Sequence, residues 1–251
     1  MTFHPEALGR RHIVLSGGCG ALGVVIAERL QQHGAKVSVC DLVKPESPPG
    51  DFFFSADLTK PETSRQFVDA ARRQFGPIHT ALCHIGVVAP GPLVDYKVED
   101  WNRTFEANVK TAFLLGQAAA RAMIDDGVRG QLVFTTSWVA SVPWPDIGAY
   151  SASKAAMNQL MRSFARELAP QGIRANAIAP GIVGAGMAQK QWDTDPAYRA
   201  RAQRAIPLGE LQTPESVADA FVFLCSPAAS YMTGAVLLVD GGCSLYPMDS
   251  G

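Results

Sequence analysis

Short runs of aliphatic and β-branched residues alternate along this chain with longer stretches of helical spacing. HIVLS (12–16), KVSVC (36–40), FFFSA (52–56), HTALC (79–83), QLVFTT (131–136), IRANAIA (173–179) and AVLLVD (235–240) read as strands. Most are apolar throughout rather than alternating, the pattern of strands buried on both faces. Between them, residues 20–33, 61–75, 98–124, 149–169 and 213–225 read as helices. The last opens on Thr-Pro-Glu, which suits an N-cap and first turn. Apolar strands interleaved with helices predict a parallel sheet covered on both faces.

Seven such strands in one sheet make an α/β fold, a single doubly wound Rossmann-type domain spanning 1–251 with helices on both faces. No repeat, low-complexity tract or interdomain linker divides it. Residues 181–212 lack a strand pattern, and a loop of that length in a compact domain is usually functional. A substrate lid is expected around 184–212, with 196–205 helix-compatible and forming a small mobile cap.

Composition narrows the function classes. The chain has 251 residues, 47% of them hydrophobic, enough for a sizeable core. With 22 basic and 23 acidic side chains and no basic run, it offers no footprint for nucleic acid or an anionic membrane surface. Its apolar stretches are too short to span a bilayer, and the polar stretch 1–11 is unlike a signal peptide. The expectation is a soluble cytoplasmic protein. Five scattered cysteines without a CxxC pair and five scattered histidines predict neither a disulfide framework nor a metal site.

Tyr150 and Lys154 lie four residues apart within the predicted helix 149–169, so they share a face. A free tyrosine, with a pKa near ~10, is a poor base at neutral pH, but a nearby cation favours the phenolate. The pair, with Ser137 upstream, is therefore a candidate acid/base centre; a lone pair at this spacing also fits a half-buried Tyr beside a solvated Lys. The first strand runs into Ser16-Gly17-Gly18-Cys19-Gly20-Ala21-Leu22-Gly23 and then a helix. Glycines there let backbone approach a pyrophosphate at a helix N-terminus, making Gly17, Gly20, Leu22 and Gly23 candidate cofactor contacts. Asp41 ends the second strand and Leu42 follows. A carboxylate at that place accepts from ribose hydroxyls and repels a 2′-phosphate, which favours NAD over NADP unless Asp41 merely caps a turn.

Together these residues resemble the short-chain dehydrogenase/reductase family over nearly the whole chain. The family's TGxxxGxG turn falls on Ser16–Gly23, with Ser16 for Thr and Ala21 for the middle Gly. Asp57-Leu58 falls on its adenine-contacting Asp, and NNAG on Cys83-His84-Ile85-Gly86, where Gly86 alone is kept. His84 there is either a structural imidazole or a contact to cofactor or substrate. Asn108 falls on the family's catalytic Asn, and Ser137, Tyr150 and Lys154 keep its spacing. Pro180-Gly181 matches the motif bordering nicotinamide, but the Thr that holds the carboxamide is absent, leaving backbone groups of Ile182 or Val183 for that task.

The resemblance implies hydride transfer between a secondary alcohol or carbonyl and NAD(H), an alcohol dehydrogenase or carbonyl reductase activity. Tyr150 is then the base, its pKa depressed by Lys154 and the nicotinamide. Ser137 holds the substrate oxygen, Lys154 the ribose, and Asn108 a proton-relaying water. Trp138 and Trp144 suit sugar rings or aromatic and alicyclic ketones, or simply pack under the lid. Arg199, Arg201 and Arg204 read as a solvated helix face, with binding of a substrate carboxylate or phosphate as the alternative. A polyol, sugar or hydroxy-ketone is the leading substrate class, with a 3-oxoacyl thioester reductase as the alternative and a non-catalytic NAD(H)-binding sensor or scaffold as a third. Relatives pair their long helices across two-fold axes, so a homotetramer is expected.

Overall fold

The computed structural model describes residues 4 and 6–245; the remaining ends of the 1–251 span, with part of the polar stretch 1–11, lie outside the described residues. Strands β1 (His12–Ser16), β2 (Lys36–Asp41), β3 (Phe52–Ser55), β4 (Thr80–Cys83), β5 (Gln131–Thr135), β6 (Arg174–Pro180) and β7 (Val236–Val239) form one sheet in the order β3-β2-β1-β4-β5-β6-β7. Every pairing is parallel. Central β1, β4 and β5 are buried at every position, which is why their sequences carry no polar alternation.

Two apolar layers sandwich the sheet. On one face α1 (Ala21–Gln32) and α8 (Pro214–Cys225) pack Ile26, Leu30, Val217 and Phe221 against Ile13 and Leu15 of β1. On the other, α2 (Pro61–Phe75), α4 (Thr111–Asp125) and α5 (Gly148–Leu168) pack Phe67, Leu115 and Met161 against Val14, Ala81 and Phe134. Ile13 and Leu15 face one layer and Val14 the other, as the two-residue period of a strand requires. Each large side chain buried this way contributes about 1.5–3 kcal/mol. The strand order reverses between β1 and β4, and a crevice opens beyond the carboxyl ends of strands at such a switch point.

Two segments depart from the sequence expectation. Residues 98–124 are not one helix: α3 (Val98–Phe105) passes through a π-helical turn, Glu106–Lys110, into α4. Residues 181–212 are not mainly loop, because α6 (Gly186–Thr194) precedes the expected α7 (Pro196–Ala205). Among its described residues α6 has none fully buried, and the half-buried Ala188 and Trp192 make only a thin apolar stripe. Asp195 separates the two and caps α7, accepting from the backbone N–H groups of Ala197 and Tyr198.

The turn between β1 and α1 depends on missing side chains. Gly17 has φ +71°, and a Cβ on Gly23 would lie 2.3 Å from the Gly17 carbonyl oxygen. Gly23→Ala should therefore force α1 away from the turn and cost about 1–3 kcal/mol, the usual penalty of overpacking. Thermal melts of the two proteins check it; an unchanged melting temperature would contradict the packing described.

Candidate active site

Beyond the carboxyl edge of the sheet lies a cleft of about 790 Å³. One end is walled by the β1–α1 turn and the tips of β2 and β3; the other lies between the segment after β5 and the helices α6 and α7. Gly17, Gly20, Leu22, Asp41, Leu42, Asp57, Leu58, Gly86, Ser137, Tyr150, Lys154, Pro180, Gly181 and Val183 all line it. Ser16, Gly23 and Asn108 are not among the lining residues and stand behind its wall.

No side chain caps the N-terminus of α1, and its first turn holds no acidic residue. Its free N–H groups therefore present partial positive charge where Ala21 and Leu22 line the cleft. The Ala21 methyl group stands opposite Gly186, 4.0 Å from where a Cβ on that glycine would lie. At the tip of β2, Asp41 accepts from the backbone N–H of Cys19 at 3.0 Å and from that of Leu42 at 2.8 Å. Those bonds fix a carboxylate beside the glycine turn. Asp57 accepts both the backbone N–H and the hydroxyl of Thr59, which hold its carboxyl below the usual carboxylate range.

The segment after β4 is built by polar side chains reaching from three elements. Ser16 donates to the Leu82 carbonyl and accepts from the His84 N–H, tying β1 to this segment. The His84 ring hydrogen-bonds Thr135 Oγ1 at 2.8 Å and meets Phe221 edge-on. Burial, reinforced by the Lys154 charge, lowers its pKa to about 3, so the imidazole is neutral at ordinary pH. Asn108, fully buried in the π-turn, grips Val87 as a strand would: its Oδ1 accepts from Val87 N–H and its Nδ2 donates to Val87 O. The same Nδ2 donates to Ser153 Oγ, which donates onward to the Tyr150 carbonyl. The bulge aims one amide at both the β4 segment and α5.

Helix α5 presents Tyr150 and Lys154 to the cleft. Lys154 is 2% exposed; its Nζ donates to the Thr135 carbonyl at 2.8 Å and lies 5.5 Å from the Tyr150 ring centre. Desolvation lowers its pKa to about 7, leaving it only partly charged at neutrality. The Tyr150 phenol is pushed up by burial and pulled back in part by its hydrogen bond with Ser137. The protein's own groups thus do not depress the phenol as the sequence suggested, because burial outweighs the lowering by Ser137.

Across the cleft, Trp138 and Trp144 pack edge to face at 5.3 Å. The lid arginines are not a uniformly solvated face. Arg199 donates to the Trp192 and Asp193 carbonyls, and Arg201 lies 4.9 Å from the Trp144 ring centre. Gln212 clamps the segment after β6: its Oε1 accepts from Gly181 N–H, its N–H donates to Ile182 O, and its carbonyl accepts from Gly184 N–H. The Thr135 carbonyl, Ser153, Gln212 and Tyr198 all contribute to the site without any motif that names them. Ser153 stands directly before Lys154, Thr135 two residues before Ser137 and Gln212 directly before the Thr213 cap, but those signals do not name the residues themselves.

A parallel sheet in this order, with its cleft at the switch point, is the doubly wound Rossmann-type architecture. A family model described as enoyl-(acyl carrier protein) reductase matches residues 19–244, and the chain belongs to the short-chain dehydrogenase/reductase family of oxidoreductases. It is 34% identical to 3beta-hydroxysteroid dehydrogenase 1 of Eggerthella lenta, covering 92% of this chain and 87% of that one. It is 32% identical to 2-(S)-hydroxypropyl-CoM dehydrogenase 3 of Xanthobacter autotrophicus, covering 92% and 95%. With the (3R)-3-hydroxyacyl-CoA dehydrogenase of Mus musculus the identity is 31%, covering 91% and 94%. The crystal structure of a short-chain type dehydrogenase/reductase from Mycobacterium marinum superposes with a TM-score of 0.87 at 30% identity, covering 95% and 97%.

The buried imidazole has a consequence for acid stability. The folded pKa of His84, about 3, lies below its unfolded value, so its contribution is fully present above about 6.5 and is lost as pH falls toward 3. His84→Asn removes that titration. Between pH 6.5 and 5 the variant should lose about 1–2 kcal/mol less stability than the parent. Urea titrations at the two pH values measure the difference, and equal losses would show that His84 is not the titrating group.

Proposed function

We propose that this protein is an NAD(H)-dependent oxidoreductase that interconverts a secondary alcohol and a ketone. The observation that carries the reading is the convergence of the Tyr150 and Ser137 side chains on one cleft, with the Lys154 ammonium 5.5 Å from the Tyr150 ring centre. Such a pair donates to one ligand oxygen from two directions. The dinucleotide fits the remaining geometry. Gly17, Gly20 and Leu22, with the free N–H groups of α1, take the pyrophosphate; Asp57 and Leu58 flank the adenine. Asp41, with Leu42 beside it, takes the adenosine ribose hydroxyls and disfavours a 2′-phosphate. Gly86, Pro180, Gly181 and Val183 border the nicotinamide, while Ser16 and Gly23 shape the turn from behind.

Bound NAD supplies the hydride acceptor, and NADH the donor. The protein handles the proton. Tyr150 removes it from the alcohol oxygen and returns it in the reverse direction. Ser137 donates to that oxygen as negative charge develops on it. Lys154 sits close enough to exchange charge with the phenol and to hold the ribose, and Asn108 positions the Tyr150 turn of α5 through Ser153. Helices α6 and α7, within the 184–212 lid, cover the substrate.

Within the range of polyols, sugars and hydroxy-ketones, the lining by Trp138, Trp144, Ile147, Ile182 and Met187 favours molecules with few hydroxyl groups. The second reading, a 3-oxoacyl thioester reductase, is favoured by the family description and the mouse relative. A homotetramer is supported by apolar side chains left exposed on α3 and α4, among them Trp101 and Phe113. The cytoplasmic reading rests on five unpaired cysteines, which suit a reducing compartment. No helix among the described residues is long and apolar enough to cross a membrane.

Tyr150→Phe should lower kcat by about two to four orders of magnitude while leaving the affinity for NADH unchanged. NADH absorbance over a panel of polyols, sugars and ketones, with calorimetry for binding, reads both. Turnover retained in the variant would remove Tyr150 from the chemistry, and NADH binding without turnover by the parent would favour a sensor. Asp41→Asn should shift the NADP-to-NAD ratio of kcat/KM toward NADP by at least about fivefold, on the order of 1 kcal/mol for one relieved charge contact. An unchanged ratio would assign the cofactor preference elsewhere.

A further inference from the structure

The lid brings polar groups to the cleft that the proton chemistry does not use. Tyr198 of α7 lines the cleft and is 8% exposed, yet no hydrogen-bond partner holds its hydroxyl. Among the described residues, the polar side-chain atoms that are both sealed from solvent and unpartnered belong to Ser64, Asn158 and Arg201. The Tyr198 hydroxyl is not one of them, so a buried side chain keeps its polar tip open, and the space it lines is the cleft. Gln191 of α6 lines the same cleft, and its side-chain amide also makes no hydrogen bond.

Tyr198 is held from two sides. Its N–H donates to the Asp195 cap at 3.1 Å, and the Arg201 guanidinium lies 5.9 Å from its ring centre while lying 4.9 Å from that of Trp144. That cation ties α7 to the segment after β5. Arg201 itself is not among the lining residues, so this end of the cleft offers neutral donors rather than a full positive charge. Around them the wall is Trp138, Trp144, Ile147, Ile182 and Met187. A polar tip in an apolar wall rewards a matching ligand oxygen and penalises a ligand that covers it without one.

Resting on the alcohol–ketone reading, we propose that Tyr198 and Gln191 form a second polar pole that recognises an oxygen function of the substrate remote from the reacting one. The substrate class is then an apolar, ring-bearing alcohol or ketone carrying a second hydroxyl or carbonyl. Ser137 and Tyr150 engage one oxygen, Tyr198 and Gln191 the other, and the apolar wall that includes Trp138 and Trp144 encloses the rings between the two poles.

Binding of two ketone pairs tests the pole without requiring turnover: cyclohexanone against 4-hydroxycyclohexanone, and 4-phenylcyclohexanone against 4-(4-hydroxyphenyl)cyclohexanone. Affinities are measured by calorimetry with and without NADH for the parent, Tyr198→Phe and Gln191→Leu. In at least one pair the hydroxylated member should bind the parent about 2- to 10-fold more tightly, the worth of one neutral hydrogen bond. Tyr198→Phe should abolish that preference while leaving the affinity for the plain ketone and the melting curve unchanged; Gln191→Leu should reduce it. No preference in the parent, no binding of any ketone, or a preference that survives both substitutions overturns the pole. A preference that behaves as expected, without NADH oxidation by any ketone, supports the pole and overturns the alcohol–ketone reading instead.

Discussion

A lysine ammonium held in a nearly dry site by one backbone carbonyl sets the terms for the rest of this cleft. For Lys154 to reach the Thr135 oxygen, β5 must end at that residue and α5 must run close against it. Gly86 must lack a side chain, since a Cβ there would lie 3.1 Å from Nζ. Burial brings the lysine's pKa down to about 7 from an ordinary value near ~10.4. Its contribution to stability is therefore present above the unfolded value and is lost as pH falls toward 7, so at neutrality the fold carries the cost of a buried charge. The two apolar layers around the sheet offset it.

The same burial acts in opposite directions on the neighbouring groups. It lowers Lys154 and His84 and raises Tyr150, in each case favouring the neutral form. In the proposed chemistry the protein by itself therefore presents a phenol, the proton donor of the ketone-reducing direction, with Ser137 as the group that eases its ionisation. The departure from the family's motif after β4 fits this setting. A histidine fills the second position of that motif without adding a charge, because desolvation and the adjacent lysine keep it neutral while Thr135 and Phe221 hold its ring.

How much was legible depended on whether a residue's role is carried by local spacing. Strand β1 and helix α2 appear at the expected residues because an all-apolar run and an amphipathic stripe are local signals. The glycine turn, Asp41 and the Tyr150–Lys154 spacing were visible for the same reason. The π-turn at Asn108 was not, since one extra residue per turn leaves the helical composition of 98–124 unchanged. Helix α6 is hard to read in sequence because its packed face is thin, Ala188 and Trp192 half-buried and no residue fully so. Arg201 reads as solvated because Trp144, the ring closest to its guanidinium, comes from a distant part of the chain, while Tyr198 is a neighbour on the same helix.

The sequence by itself determined the alternation of strands and helices, hence a parallel sheet with both faces covered, and the residue types that stand at its carboxyl edge. Those follow from periodicities of two and of three to four residues, which neighbouring side chains alone express. Tertiary structure decided which groups are dry, which are paired, and where an open polar tip meets the cleft. The depressed pKa of Lys154, the grip of Asn108 on Val87, the Gln212 clamp and the burial of Tyr198 each arise where segments far apart in sequence exclude water together. Desolvation belongs to the assembled neighbourhood, and no window of sequence contains it.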